Sequence, residues 1–247
     1  MSASVDVDVG SAVLEYRLAD GQSLAKEARR TAVAALFDAD PWRTFSWHLG
    51  QRHYSGNYWS ATEGDHVIYE SRLELSALLM ADFDPAVSRI KAQPFLLTAL
   101  VGPHRRRHIT DYLLQRDAGL VVIDVVRAAR LHDPKIASLC MWTKRVIESL
   151  GWSYEVISEQ PPVLLANVRF LAGYRRPRFI DSDAVAYLRL CAPDLAGMRI
   201  DDAESQVGKH LPIPVVRSAL LHLLWRQEFV IDLTEQLRPS TVLEIPT

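Results

Sequence analysis

The chain is expected to fold as an α/β protein, with a mixed sheet flanked by helices and a small helical domain at its C-terminal end. Three observations predict this. Residues 120–126 form a continuous apolar, β-branched run, the composition of a strand buried on both faces. Asp133-Pro134 reads as an N-cap followed by proline in the first helical turn, and Gly151 stands where a helix commonly ends, so a helix is expected over 135–150 and a strand over 154–157. That strand–helix–strand order implies a parallel pair joined by a right-handed crossover. After Asp183 the pattern changes to short helices, at 184–191, 201–207 and 214–226, then two β-rich runs at 229–233 and 241–245.

At 247 residues, with 49% apolar and 23% charged residues, the chain can bury a full core, which excludes disordered and fibrous classes. A net charge of −2 gives no global attraction to a polyanion, so electrostatic hints are confined to two clusters, His104-Arg105-Arg106-Arg107-His108 and Arg175-Arg176-Pro177-Arg178. Either cluster is also compatible with a solvated loop. Two cysteines, Cys140 and Cys191, argue for a reducing compartment and against a disulfide framework or zinc site. The first residues carry neither a basic segment nor an apolar one, and no apolar run is long enough for a bilayer, so a cytoplasmic protein without membrane contact is expected. A glycine-rich phosphate loop, a G-x-S-x-G elbow and His/Cys metal spacing are all missing, which sets ordinary metabolic chemistries aside.

In chain order, residues 1–10 are expected to be a frayed tail, 12–17 a strand and 24–37 a helix ending before Asp40-Pro41. The aromatic section 42–60 reads as strands over the core rather than a binding surface. A strand at 66–69 and a helix over 71–82 follow; Glu70 and Glu74 share one apolar helix face with Leu73, Ala77, Leu78 and Ala81. A glutamate there is either an ion-paired or snorkelling side chain or a ligand. Residues 87–95 are extended, 109–115 a strand, and Asp117-Ala118-Gly119 a hairpin loop. The aspartate inside the buried run, Asp124, is the least expected residue of the chain, because an unpaired charge there is costly. Glu74, Asp111 and Asp124 therefore form a candidate carboxylate set for a hard divalent cation. The organisation read from this is an N-terminal extension over 1–60 packing on the core, a core over 61–180 and a C-terminal domain over 181–247. Three helices and a hairpin make a winged helix, whose third helix would offer Arg217 and His222 to DNA unless the domain docks on protein instead.

The segments Glu70-Ser71-Arg72-Leu73-Glu74-Leu75, Phe83-Asp84-Pro85-Ala86-Val87, Gln93-Pro94-Phe95, Thr110-Asp111-Tyr112 and Ile123-Asp124-Val125 resemble, in order and spacing, the TnsA-type endonuclease subunit of heteromeric bacterial transposases. The resemblance covers roughly residues 66–160. It implies a restriction-endonuclease-like core of the PD-(D/E)xK class, a winged-helix-like C-terminal part, and metal-dependent nicking of double-stranded DNA at transposon ends. It also implies an integrase-type transposase partner and an ATPase regulator. By the same match Glu74, Asp111 and Asp124 hold magnesium, with manganese as a substitute. The family's lysine falls on Val126; Arg127, on the opposite strand face unless a bulge turns it inward, or Lys144 or Lys91, would then supply the charge. Arg105, Arg106, Arg107, Arg175, Arg176 and Arg217 are the candidate DNA contacts. Two alternatives stand beside this reading: an inactive nuclease fold retained for DNA or protein binding, which Val126 motivates, and a restriction or phage-defence nuclease.

Overall fold

A computed structural model describes residues 6–43 and 54–246. The chain forms two compact units, Met1–Asp82 with Ala86–Glu159, and Phe83–Pro85 with Gln160–Thr247. In the first unit β1 (Val7–Arg17), β2 (Ser23–Glu27) and α1 (Val33–Asp38) precede the antiparallel pair β3 (Gly56–Trp59) and β4 (His66–Tyr69). Then come α2 (Arg72–Phe83), β5 (Val87–Ala92), β6 (Leu96–Val101), β7 (His104–Ile109), β8 (Tyr112–Arg116), β9 (Gly119–Val125), α3 (Pro134–Ser149) and β10 (Ser153–Ile157).

These strands make two four-stranded sheets, β2-β1-β6-β7 and β10-β9-β8-β5. The first is antiparallel throughout. In the second, β5, β8 and β9 run antiparallel and β10 returns parallel to β9, as the strand–helix–strand reading expected. Leu14 and Leu97 of one sheet and Leu113 and Val122 of the other share a core with Trp142, Val146 and Ile147 of α3. Each such side chain contributes roughly 1.5–3 kcal/mol by leaving water. Helix α3 thus sits on the core by its apolar face, and its start is fixed by Asp133, whose side chain accepts from the Lys135 N–H, a cap of about 1 kcal/mol. The far end of α2 is tied down by Asp82. That buried carboxylate accepts from Tyr58 Oη at 2.7 Å, Ser60 Oγ at 2.6 Å and the N–H groups of Ala61 and Thr62 at 3.0 and 2.8 Å.

The second unit holds α4 (Pro162–Leu171), α5 (Ser182–Leu195), α6 (Ile200–Val207) and α7 (Ile213–Trp225). From Ala219 to Trp225, α7 is buried on every side, as a central helix must be. Phe83 belongs to this unit: its ring lies 5.1 Å from that of Trp225, and its carbonyl accepts from Gln227 Nε2 at 2.7 Å.

Several expectations are corrected. Residues 7–10, read as tail, belong to β1, and residues 1–5 lie outside the described part. The helix expected over 24–37 is instead β2, a short 3₁₀ turn and α1. Helix formers such as Ala25, Lys26 and Glu27 are recruited as an exposed edge strand because β1 offers a ladder, and that tertiary pairing outweighs a weak propensity. The cluster at 104–108 is not a loop but most of β7, paired with β6 along its whole length. The strand expected over 109–115 starts only at Tyr112, because Thr110-Asp111 breaks from β7 to β8. Of the aromatic section, 44–53 lie outside the described residues and 56–59 form β3. The expected C-terminal hairpin is reduced to a single bridge, Val230 with Glu244, and Val242 bridges instead to Arg199 before α6.

Candidate active site

Each of the three carboxylates is held by its own local structure. Ser71 and Glu74 form a capping box at the start of α2: the Glu74 N–H donates to Ser71 Oγ at 3.1 Å, and Ser71 Oγ donates to Glu74 Oε1 at 2.9 Å. The Glu70 N–H donates to Glu74 Oε2 at 2.7 Å. Burial nevertheless pushes the Glu74 carboxyl up, against these hydrogen bonds, and the charge of Glu70 adds to the rise. Glu70 in turn accepts from Arg43 Nη1 at 3.0 Å and Gln93 Nε2 at 2.7 Å.

Gln93 links the rest. Its φ of +46° is rare for a residue with a side chain, and the turn it makes lets its N–H donate to the Asp111 carbonyl at 2.8 Å while its side chain reaches Glu70. The Gln-Pro segment is therefore a junction that sets Asp111 relative to α2. Asp111 lies in the break before β8, where its N–H donates to the Ile123 carbonyl at 3.0 Å and its Oδ2 accepts from the Val125 N–H at 2.6 Å. Its carboxyl is pushed well above the usual carboxylate range, first by burial and then by the like charge of Asp124, with Glu74 and Glu70 adding to it. Asp124, Glu74 and Glu70 thus all raise the Asp111 carboxyl, and Glu70 raises that of Glu74.

Asp124, near the end of β9, is 3% exposed. His108 Nε2 stands 2.9 and 2.8 Å from its two oxygens, and Tyr154 Oη donates to Oδ2 at 2.5 Å. Facing a carboxylate, Nε2 is the donor. Burial, followed by the charge of Asp124, holds the Tyr154 phenol protonated. His108 and Tyr154 are site residues that sequence reading missed, and only the odd placement of Asp124 signalled that partners were needed.

A cleft of about 260 Å³ brings Asp111, Asp124 and His108 together with Ser71, Val126, Arg127, Arg130 and Cys140. Burial pushes the Cys140 thiol up, away from thiolate chemistry. The strand-alternation argument against Arg127 does not apply, because β9 ends at Val125 and residue 127 caps a 3₁₀ turn at φ −57°, ψ 133°. Both Val126 and Arg127 border the cleft. Arg130 was not anticipated.

No protein-family model matches this chain, and no curated protein matches it significantly.

Among the described residues no three His, Cys, Asp or Glu side chains already stand as a metal-holding group. Asp111 and Asp124 border the cleft and Glu74 does not, but the donor set nonetheless suits a hard divalent cation. It is all oxygen, it carries like charges that a cation relieves, and no hydrogen bond among the described residues reaches Asp111 Oδ1.

The remaining candidates separate clearly. Lys91 is half-buried among Asp40, Glu63 and Asp38, and burial lowers its ammonium, so its neighbours are not the site carboxylates. Lys144 faces Glu148 on the outer side of α3, with Nζ 3.6 Å from Oε1, and does not border the cleft. Arg105, Arg106 and Arg107 are exposed on β7. Arg175 spends Nη1 on the Ala172 carbonyl at 2.5 Å, and Arg176 starts the next 3₁₀ turn, both half-buried. Arg217 is engaged by the buried Glu204 through Nε at 2.7 Å and Nη2 at 2.5 Å, and His222 is 5% exposed with Nδ1 2.7 Å from the Tyr174 carbonyl. Helix α7 is the unit's central helix and buries His222, which is thereby withdrawn from a DNA groove, whereas Arg217, though paired with Glu204, keeps its side chain 56% exposed.

Proposed function

We propose that this chain is the metal-dependent endonuclease subunit of a heteromeric transposase of the TnsA type, nicking double-stranded DNA at transposon ends beside an integrase-type subunit and an ATPase regulator. The observation that carries the reading is the placement of Asp111, just before β8, and Asp124, on β9, at one cleft, with Asp111 also feeling the charge of Glu74 on the helix that precedes the sheet. The frame around them supports it. Helix α2, the antiparallel β5, β8 and β9, helix α3 and the parallel β10 follow the order of a PD-(D/E)xK core, with β6 and β7 inserted as a hairpin into the other sheet. In the second unit, the three helices α5, α6 and α7 and the two bridges fit a winged helix with a much reduced wing. Among the described residues no helix is long and apolar enough to cross a membrane. With chromosomal or plasmid DNA as substrate, the cytoplasm is the compartment this reading implies.

Magnesium held by Asp111, Asp124 and Glu74 would supply an activated water and charge neutralisation at the phosphate. The chain's own groups do the rest. Arg127 and Arg130, exposed at the cleft, offer donors to the non-bridging phosphate oxygens, where guanidinium groups bind in pairs of parallel hydrogen bonds. His108 and Tyr154 orient Asp124, and the Val125 amide orients Asp111, so neither carboxylate has to reorganise during the reaction.

One observation favours a second reading, a nuclease fold kept for binding alone: Val126 borders the cleft where the family has lysine, and a valine neither holds a water nor stabilises a pentacovalent phosphorus.

Glu74→Gln tests the proposed function, because glutamine also completes a capping box while removing the charge a metal needs. With magnesium or manganese, alone and with the integrase-type partner, wild type is expected to nick duplex DNA carrying element ends. Glu74→Gln should lose on the order of 100-fold in rate, with thermal midpoint shifted by no more than about 2 °C. Equal nicking by wild type and variant removes Glu74 from the site and leaves it a helix cap.

A further inference from the structure

A second concave surface lies on the first unit, between the edge strand β7 and the first turns of α3. It encloses about 610 Å³ and is bordered by Arg106, Arg107, Lys135, Ser138, Leu139 and Trp142 among others. Its charge is of one sign, since among the described residues no carboxylate borders it. Asp133, the nearest acid on α3, is spent on the Lys135 amide. None of the side chains of Arg106, Arg107 and Lys135 has an ion-pair or hydrogen-bond partner among the described residues, whereas Arg30, Arg43, Arg89, Arg116, Lys144, Arg189, Arg199, Arg217 and Arg226 all form ion pairs. Exposed cations left together on a concave floor repel one another, and a polyanion relieves that cost.

Position adds the second argument. Leu139 borders both this groove and the carboxylate cleft, so the two are contiguous along one face of α3. The β7 ladder places Arg106 and His108 on one side of the strand, and His108 reaches Asp124 in the cleft. Arg105 stands on the same strand, equally exposed, yet does not border the groove.

We propose that Arg106, Arg107, Lys135 and Ser138 form a phosphodiester track that receives the DNA backbone on one side of the bond lying in the cleft. Arg105 takes no part, so the arginine run is not a uniform basic patch. This inference rests on the nuclease reading for its choice of DNA as the polyanion. Ser138 supplies a hydroxyl donor between the cations, and Trp142 and Leu139 form an apolar floor that fixes how closely the backbone approaches.

The test uses the full chain, a fluorescein-labelled 30-base-pair duplex of arbitrary sequence and buffer containing EDTA, so that cleavage plays no part. Anisotropy titrations from about 50 to 200 mM salt compare wild type, the triple variant Arg106→Gln/Arg107→Gln/Lys135→Gln, and Arg105→Gln. The triple variant is expected to bind on the order of 100-fold more weakly at low salt and to lose about 0.9 of log–log salt slope per phosphate contact removed. Arg105→Gln should change affinity less than about twofold. All three side chains removed are exposed, and an unchanged thermal midpoint checks that the variant is folded.

A triple variant that binds like wild type overturns the track. So does Arg105→Gln weakening binding by a third or more of the triple variant's loss in log affinity, since that describes a diffuse field. Wild type without affinity for duplex at about 50 mM salt overturns the track and the nuclease reading together. Groove-dependent binding by a protein that never nicks DNA sinks the endonuclease and leaves the track standing.

Discussion

Asp111→Asn should abolish metal-dependent nicking while making the metal-free protein more stable. The two effects share one cause. Asp111 is buried beside Asp124, Glu74 and Glu70, and its carboxyl is raised because the ionised form is disfavoured there. Without a cation, that charge is a cost to the fold, and asparagine removes it while its side-chain oxygen still accepts from the Val125 N–H. A gain of about 1 kcal/mol, seen as roughly 2–4 °C in thermal midpoint, is expected in EDTA. Removing a metal ligand takes away several kcal/mol of transition-state stabilisation, a loss on the order of 1,000-fold in rate. Retained nicking would show that Asp111 is structural. A drop in midpoint would show that its charge is already compensated.

Val126→Lys carries the second large effect. Backbone hydrogen bonds fix residue 126: its N–H donates to the Ile157 carbonyl at 2.9 Å and its carbonyl accepts from Ser158 Oγ at 2.7 Å. The residue borders the cleft with Asp111 and Asp124. An ammonium there meets opposite charges and stands beside the bound phosphate, so nicking should rise on the order of 100-fold over wild type. The same variant decides between the two functional readings. If wild type nicks weakly and Val126→Lys strongly, Arg127 and Arg130 are partial replacements for the lysine. If only Val126→Lys nicks, the natural chain is a nuclease fold that has lost catalysis. A variant no better than wild type, or worse, contradicts the view that residue 126 faces the reaction.

The parts of the fold that were legible before the structure are those where local signals agree. The Asp133-Pro134 start and Gly151 stop of α3, the β-branched run of β9 and the parallel return of β10 all follow from residues within a few positions of one another. The region 24–37 was not legible in this way, because its alanines, lysine and glutamate favour helix and only the ladder on β1 makes part of it a strand. Nor was the hairpin of β6 and β7, where five cations and histidines in a row conceal an edge strand that satisfies its backbone on one side only. At the site, the three carboxylates were visible as charges in apolar settings. Their partners were not, because His108 and Tyr154 reach Asp124 from 16 and 30 positions away in sequence, and Gln93 reaches the neighbouring Glu70 from 23. For the same reason nothing near Arg217 in sequence shows that the buried Glu204, on a different helix, pairs with it.

The account stands most directly on cation binding at Asp111 and Asp124. Calorimetric titration of manganese into the full chain, with a non-hydrolysable phosphorothioate duplex present, measures it without requiring turnover. Saturable binding by wild type is the expected result, with the heat lost in Asp111→Ala although that variant remains folded and still binds the duplex. Wild type that takes up no manganese on DNA, or an Asp111→Ala variant that titrates identically, would contradict the metal-dependent reading.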